Sequence, residues 1–193
     1  FAPRFHAGLR HAGPTRGELA VPTVFNFLGP LTNPGRVTAS AIGCADARMA
    51  PVMAAVLADR GDTALVFRGD DGLDELTTTT TSSVWVAADG EVSTATVDPE
   101  ALGIAPVPPE ALRGGDRVFN ARVVREVLGG GAPQVRDVVL LNAAAAIASF
   151  DGLGGVRVHD ALARGLRIGA EAIDSGAASS LLDRWIASSQ AAR

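Results

Sequence analysis

Long apolar runs are missing from this chain. Nothing approaches the ~18 consecutive apolar residues that a membrane span requires, and no ordered basic, apolar and small-residue segment opens the sequence, so neither a transmembrane helix nor a signal peptide is expected. Lysine is absent: all 17 Lys and Arg positions are Arg, scattered without a basic tract, and the formal net charge is -4. That balance speaks against a nucleic-acid surface, while leaving room for a local positive pocket. A single cysteine, Cys44, excludes an intramolecular disulfide and fits a reducing compartment, so a cytoplasmic protein is expected. Internal repeats and long low-complexity segments are also absent. A length of 193 residues fits one large domain, or a domain with a piece of another attached.

What the chain does have is a concentration of carboxylates. Asp70-Asp71-Gly72-Leu73-Asp74-Glu75 places four acids and a glycine in one hexapeptide, directly after Ala64-Leu65-Val66-Phe67, an apolar run bounded by Gly61 and Gly69. Such a run reads as a short buried strand opening into a loop, and open α/β sheets bind ligands at strand ends. Mg²⁺ suits the adjacent pair Asp74 and Glu75, since it keeps several waters and is usually held by one or two carboxylates plus substrate phosphates. A solvated acidic turn is the plainer reading of the same residues.

Around this loop the pattern alternates strands and helices. Ala39 to Cys44 forms a strand candidate, and Asp46 is placed to cap the helix that follows. In that helix Met49, Val52, Met53, Val56 and Leu57 make one apolar face, and Gly61 sits at its C-terminal end. Strand, helix, strand is a crossover that favours parallel pairing. Residues 83–87 and 91–97 flank Ala88-Asp89-Gly90, a hairpin signal. Prolines 99, 106, 108 and 109 mark an irregular connection. Helices are expected over about 117–128, 135–150, 159–174 and 177–191. Before the strands, 6–19 reads as a helical piece interrupted near Gly13-Pro14 and 25–31 as another, with too little apolar surface to form a core alone.

Three segments, taken in order and spacing, carry a resemblance: Pro14-Thr15-Arg16-Gly17-Glu18-Leu19, then Val21-Pro22-Thr23-Val24-Phe25-Asn26-Phe27-Leu28-Gly29-Pro30-Leu31-Thr32-Asn33-Pro34, then the acidic loop. They resemble the anthranilate phosphoribosyltransferase family of tryptophan biosynthesis. The similarity continues through Leu112-Arg113-Gly114-Gly115-Asp116, Asn120-Ala121 and Val139-Leu140-Leu141-Asn142-Ala143-Ala144, and so covers nearly the whole chain.

The resemblance implies an α/β fold with a mostly parallel sheet flanked by helices. It also implies a remnant of a small helical domain and a hinge over 1–34, and an incomplete α/β domain over 35–193. The family's Gly-Thr-Gly-Gly-Asp loop, which cradles the diphosphate of phosphoribosyl pyrophosphate, and its Lys-His-Gly-Asn segment do not occur in these residues. With Phe1 opening inside what reads as a helix, a fragment inactive by itself is expected. Arg16 matches the family's anthranilate-binding arginine, a forked donor suited to a carboxylate. Asp74 and Glu75 would hold Mg²⁺, and the catalytic base stays unassigned. Anthranilate and phosphoribosyl pyrophosphate would be the partners, with a homodimer formed through the helical domain. Two departures stand near Arg16: His6-Ala7-Gly8-Leu9 replaces a common His-Pro-Ala-Met, and Ala20 stands where the family usually has glycine. A nucleoside phosphorylase of related fold and a non-catalytic nucleic-acid-binding relative are the alternatives.

Other residues have plainer readings. His6 and His11 are not spaced to stack on one helix face and His159 is remote, so zinc is not expected. Cys44 reads as a small core residue. The Thr77–Thr81 run reads as a partly exposed strand or loop. Asn142 is expected to satisfy backbone groups within an Ala- and Leu-rich helix, and Gly29-Pro30 to set a bend or hinge.

Overall fold

The computed structural model of the chain describes residues 5–21 and 23–192, apart from the side chain of Leu9. Pro22 of the family-like segment and the helix expected at Phe1 lie outside the described residues. The chain divides into two compact units, Phe1–Thr38 and Ala39–Arg193.

In the first unit a 3₁₀ turn, Ala7–His11, precedes α1 (Gly13–Leu19) and α2 (Phe25–Leu31). Pro14 enters α1 in its first turn, where its missing N–H costs nothing. Ala20 ends that helix in the left-handed conformation, φ 49°, its N–H donating to the Arg16 carbonyl. No described residue up to Thr38 is buried, as expected of a segment too short to enclose a core.

The second unit is a layered α/β structure. Its strands β1 (Ala39–Gly43), β2 (Thr63–Gly69), β3 (Ser82–Ala88) and β4 (Glu91–Val97) pair in the order β1-β2-β3-β4. The expected α/β layering holds, but the expected parallel majority needs amending within the described residues. β1 and β2 are parallel across the crossover helix α3 (Ala50–Asp59), whereas β2 with β3 and β3 with β4 are antiparallel. The physical reason lies in the connections: no helix stands between β2 and β3 to carry a parallel crossover, and β3 and β4 are joined by the hairpin turn that the sequence signals. Asp89 and Gly90, both at positive φ, reverse the chain too tightly for anything but antiparallel pairing.

Helices α4 (Arg117–Leu128), α5 (Pro133–Asp151), α6 (Val158–Asp174) and α7 (Ala177–Ala191) follow. Strand alternation sends Leu65, Phe67, Val84 and Val86 to one side, where they pack with Leu141, Ala144, Ala145 and Ala148 of α5 and Ala161 and Leu162 of α6. Helix α3 packs on β2, β3 and β4. Its buried stripe is Ala50, Met53, Ala54, Leu57 and Ala58, a face rotated from the expected one, and Val52 is half exposed. Small alanines allow close approach to the sheet, which is why they and not the valines face inward. Asp46 does not cap α3; its side chain instead accepts from the Arg48 N–H and guanidinium in the preceding turn. The Arg48 guanidinium thereby holds the Asp46 carboxyl well below the usual carboxylate range.

Candidate functional site

The acidic loop leaves the end of β2 and divides its four carboxylates into two pairs. Asp70 and Asp71 are committed to holding the loop. Asp70 accepts from the hydroxyls of Thr81 (2.6 Å) and Ser83 (2.9 Å), and Asp71 accepts from the Thr79 hydroxyl (2.6 Å) and the Leu73 N–H (3.1 Å). Burial acts to raise the Asp71 pKa, but the hydroxyls of Thr79 and Thr77 and the Leu73 N–H together outweigh it and hold the carboxyl below its ordinary value. The Thr run is a partly exposed loop, one of the two forms expected: Thr77 and Thr78 are fully buried, Thr80 is exposed, and the hydroxyls of Thr79 and Thr81 serve Asp71 and Asp70.

Asp74 and Glu75 are left over. Both are exposed and line an open cavity of about 400 Å³ with Gly43 and Phe67 at the strand ends and Val138 and Asn142 of α5. The loop backbone reaches this position because Gly43 lacks a side chain; a Cβ there would overlap the Asp74 carbonyl. On the other side, Asn142 accepts from the Leu76 N–H (3.0 Å) and donates to the Leu76 carbonyl (2.8 Å) and to the Val138 carbonyl of its own helix (2.9 Å). Arg68 braces the neighbouring turn, donating to the carbonyls of Ala45 (2.8 Å) and Gly69 (3.1 Å).

Among the described residues no three His, Cys, Asp or Glu side chains converge on one point that could hold a metal ion. A complete protein cage is thus not what this loop offers. Two adjacent hard oxygen donors beside an open cavity fit a cation that keeps its waters and takes further ligands from a phosphate substrate. Neighbouring Cys44 is buried and its thiol is pushed up, by burial first and by the carboxylates of Asp46 and Asp74 after it, which disfavours the nucleophilic thiolate. His159 accepts at Nε2 from the Asp98 N–H (3.4 Å).

Arg16, in the first unit, is exposed on α1. Its guanidinium carbon lies 5.8 Å from the centre of the Phe25 ring, a cation–π contact that orients the fork for about 0.5–1 kcal/mol at an exposed position. With Gly13, Gly17, Ala20, Val21 and Asn26 it lines a shallow cavity of about 320 Å³. The sequence alone marks Arg16, Asp74 and Glu75 as candidates, whereas the contribution of Gly43 and the reach of Asn142 to Leu76 emerge only from the structure. A polar residue inside an apolar helix was the available signal for Asn142. The Gly114-Gly115-Asp116 stretch and Asn120 turn out to form a helix start: Asp116 caps α4 by accepting from the N–H groups of Val118 and Phe119, and Asn120 bonds Gly115 in both directions.

The profile of the glycosyl transferase family, a/b domain, matches residues 1–179. Among curated relatives, the anthranilate phosphoribosyltransferase of Thermobifida fusca (strain YX) is 62% identical over 191 residues, which are 99% of this chain and 55% of the relative. That of Acidothermus cellulolyticus is 58% identical over 193 residues, 100% of this chain and 54% of the relative. The crystal structure of the Thermus thermophilus anthranilate phosphoribosyltransferase superposes with a TM-score of 0.82 at 35% identity, covering 94% of this chain and 52% of that one. The Saccharomyces cerevisiae enzyme in complex with phosphoribosyl pyrophosphate and Mg gives 0.83 at 27%, covering 96% and 52%. The chain spans about half the length of the curated relatives it matches. With the match running through both the Arg16 segment and the acidic loop, this chain belongs to the glycosyl transferase family characterised by that a/b domain.

Proposed function

We propose that the protein to which these residues belong is an anthranilate phosphoribosyltransferase, working in the cytoplasm as a homodimer. The anthranilate amine bonds to C1′ of phosphoribosyl pyrophosphate as the C1′–oxygen bond breaks, pyrophosphate leaves with the bonding pair, and the amine gives up a proton. No protein nucleophile is needed, so the protein's task is to orient two substrates and stabilise the departing charge. Arg16 would bind the anthranilate carboxylate through two parallel hydrogen bonds. Asp74 and Glu75 would hold Mg²⁺, which when bound neutralises charge on the pyrophosphate.

The observation that carries this reading is the division of labour in the acidic loop. Asp70 and Asp71 are consumed by Thr79, Thr81 and Ser83, while Asp74 and Glu75 stand exposed at the cavity, in a chain 62% identical to a named anthranilate phosphoribosyltransferase. The test is loss of anthranilate fluorescence with the full-length protein, phosphoribosyl pyrophosphate and Mg²⁺. Turnover dependent on all three is expected. Phosphorolysis of a nucleoside without use of anthranilate would replace this reading with the phosphorylase one; salt-dependent DNA binding with neither activity would replace it with a nucleic-acid-binding one. Light scattering of the full-length protein tests the dimer.

A further inference from the structure

We infer that Asn142 is a positioning residue for the Asp74–Glu75 pair, an inference that rests on the proposed metal role of those two carboxylates. Their side chains extend into the cavity from a loop, and loop donors hold a cation well only where the backbone beneath them is fixed. Here it is fixed from both sides. The Asp74 carbonyl lies against the bare Cα of Gly43 in β1. The Leu76 N–H, which belongs to the peptide linking Glu75 to Leu76, donates to Asn142 Oδ1, and the Leu76 carbonyl accepts from Asn142 Nδ2.

Asn142 is itself well anchored. Leu141, Ala144 and Ala145 beside it on α5 are fully buried, and its second amide proton bonds the Val138 carbonyl one turn back. Leu76 is fully buried in the same core. The pair thus stands between β1 and α5 with its backbone held and its carboxylates uncommitted. An amide suits this task because one planar group both donates and accepts, matching both polar groups of the Leu76 residue. Neither Asp nor Leu can do so.

The test compares Asn142→Ala with the unaltered full-length protein by electron paramagnetic resonance of Mn²⁺, titrated at a fixed concentration of phosphoribosyl pyrophosphate. Thermal melting is run in parallel. Loss of the groups that orient metal ligands typically weakens binding about 10- to 100-fold, and a weakening in that range is expected, with the KM for anthranilate unchanged. Asn142→Ser, which keeps a short hydroxyl donor and acceptor and adds no charge to the cavity, should fall in between and serves if the alanine variant does not fold. Ala148→Gly is the control for general loosening of α5, since it deletes a fully buried methyl and weakens the helix without touching the Leu76 hydrogen bonds; it should melt earlier and bind Mn²⁺ normally. Unchanged Mn²⁺ binding in folded Asn142 variants, with Asp74→Asn/Glu75→Gln impaired, would overturn the positioning role alone. Normal binding in that double variant would overturn the metal reading and this inference with it.

Discussion

Gly43 and Asp74 come together more closely than any side chain would allow: the Asp74 carbonyl occupies the place where a Cβ on Gly43 would be. The consequence is a fixed crossing of the acidic loop over the end of β1. Gly43→Ala must push the loop away, and such overpacking costs about 1–3 kcal/mol. We expect a lower urea midpoint and, in the full-length protein, a raised Mg²⁺ requirement. A midpoint within error of the parent would show that the loop moves freely.

Arg16→Ala in the full-length protein should weaken use of anthranilate much more than use of phosphoribosyl pyrophosphate. A charge-assisted contact is worth roughly 1.5–3 kcal/mol, or about a tenfold to hundredfold loss. Arg16→Lys should restore little, because a point charge lacks the fork. Steady-state kinetics with each substrate varied separately decides it, and an unaltered anthranilate dependence would make Arg16 a surface residue.

Asp71 gives a dependence on pH whose sign is fixed. Its folded pKa is lowered, so its contribution to stability is present above the unfolded value, about 3.9, and is lost as pH falls through the folded value. Asp71→Asn should therefore lower the urea midpoint at pH 7 and narrow the gap between parent and variant in strong acid. Parallel losses at both pH values would mean that charge on Asp71 is immaterial to the Thr79 contact.

Residues 1–193 expressed alone should not produce phosphoribosyl anthranilate, because the family's glycine-rich diphosphate loop is not among them and its backbone donors stabilise charge where it develops. Anthranilate fluorescence followed beside the full-length protein is the check. Equal turnover by both would place the diphosphate site within these residues.

Much of this was legible in the sequence where local chemistry and tertiary need agree. Arg117–Leu128 and Ala177–Ala191 are helices with the expected limits, and Asp89-Gly90 makes the hairpin it signals. Ala20 explains a family preference, since its left-handed φ of 49° is one that glycine adopts without strain. Less legible was whatever depends on partners distant in sequence. Nothing local says that Thr79 and Thr81 turn toward Asp71 and Asp70, or that Asn142 reaches Leu76, 66 residues away. Periodicity placed Val52 inside α3, but packing against the sheet chose alanines instead.

Whether Asp74 and Glu75 hold the metal is decided by activity titrated against Mg²⁺ at fixed substrates, for the full-length protein and for Asp74→Asn/Glu75→Gln. Both side chains are exposed, so neutralising them should leave circular dichroism and the thermal melt intact. In the double variant turnover should fall and the Mg²⁺ requirement rise, because the hard cation loses its charged oxygen ligands and keeps only substrate phosphate. A Mg²⁺ titration superimposable on that of the parent would contradict it and remove both residues from the site.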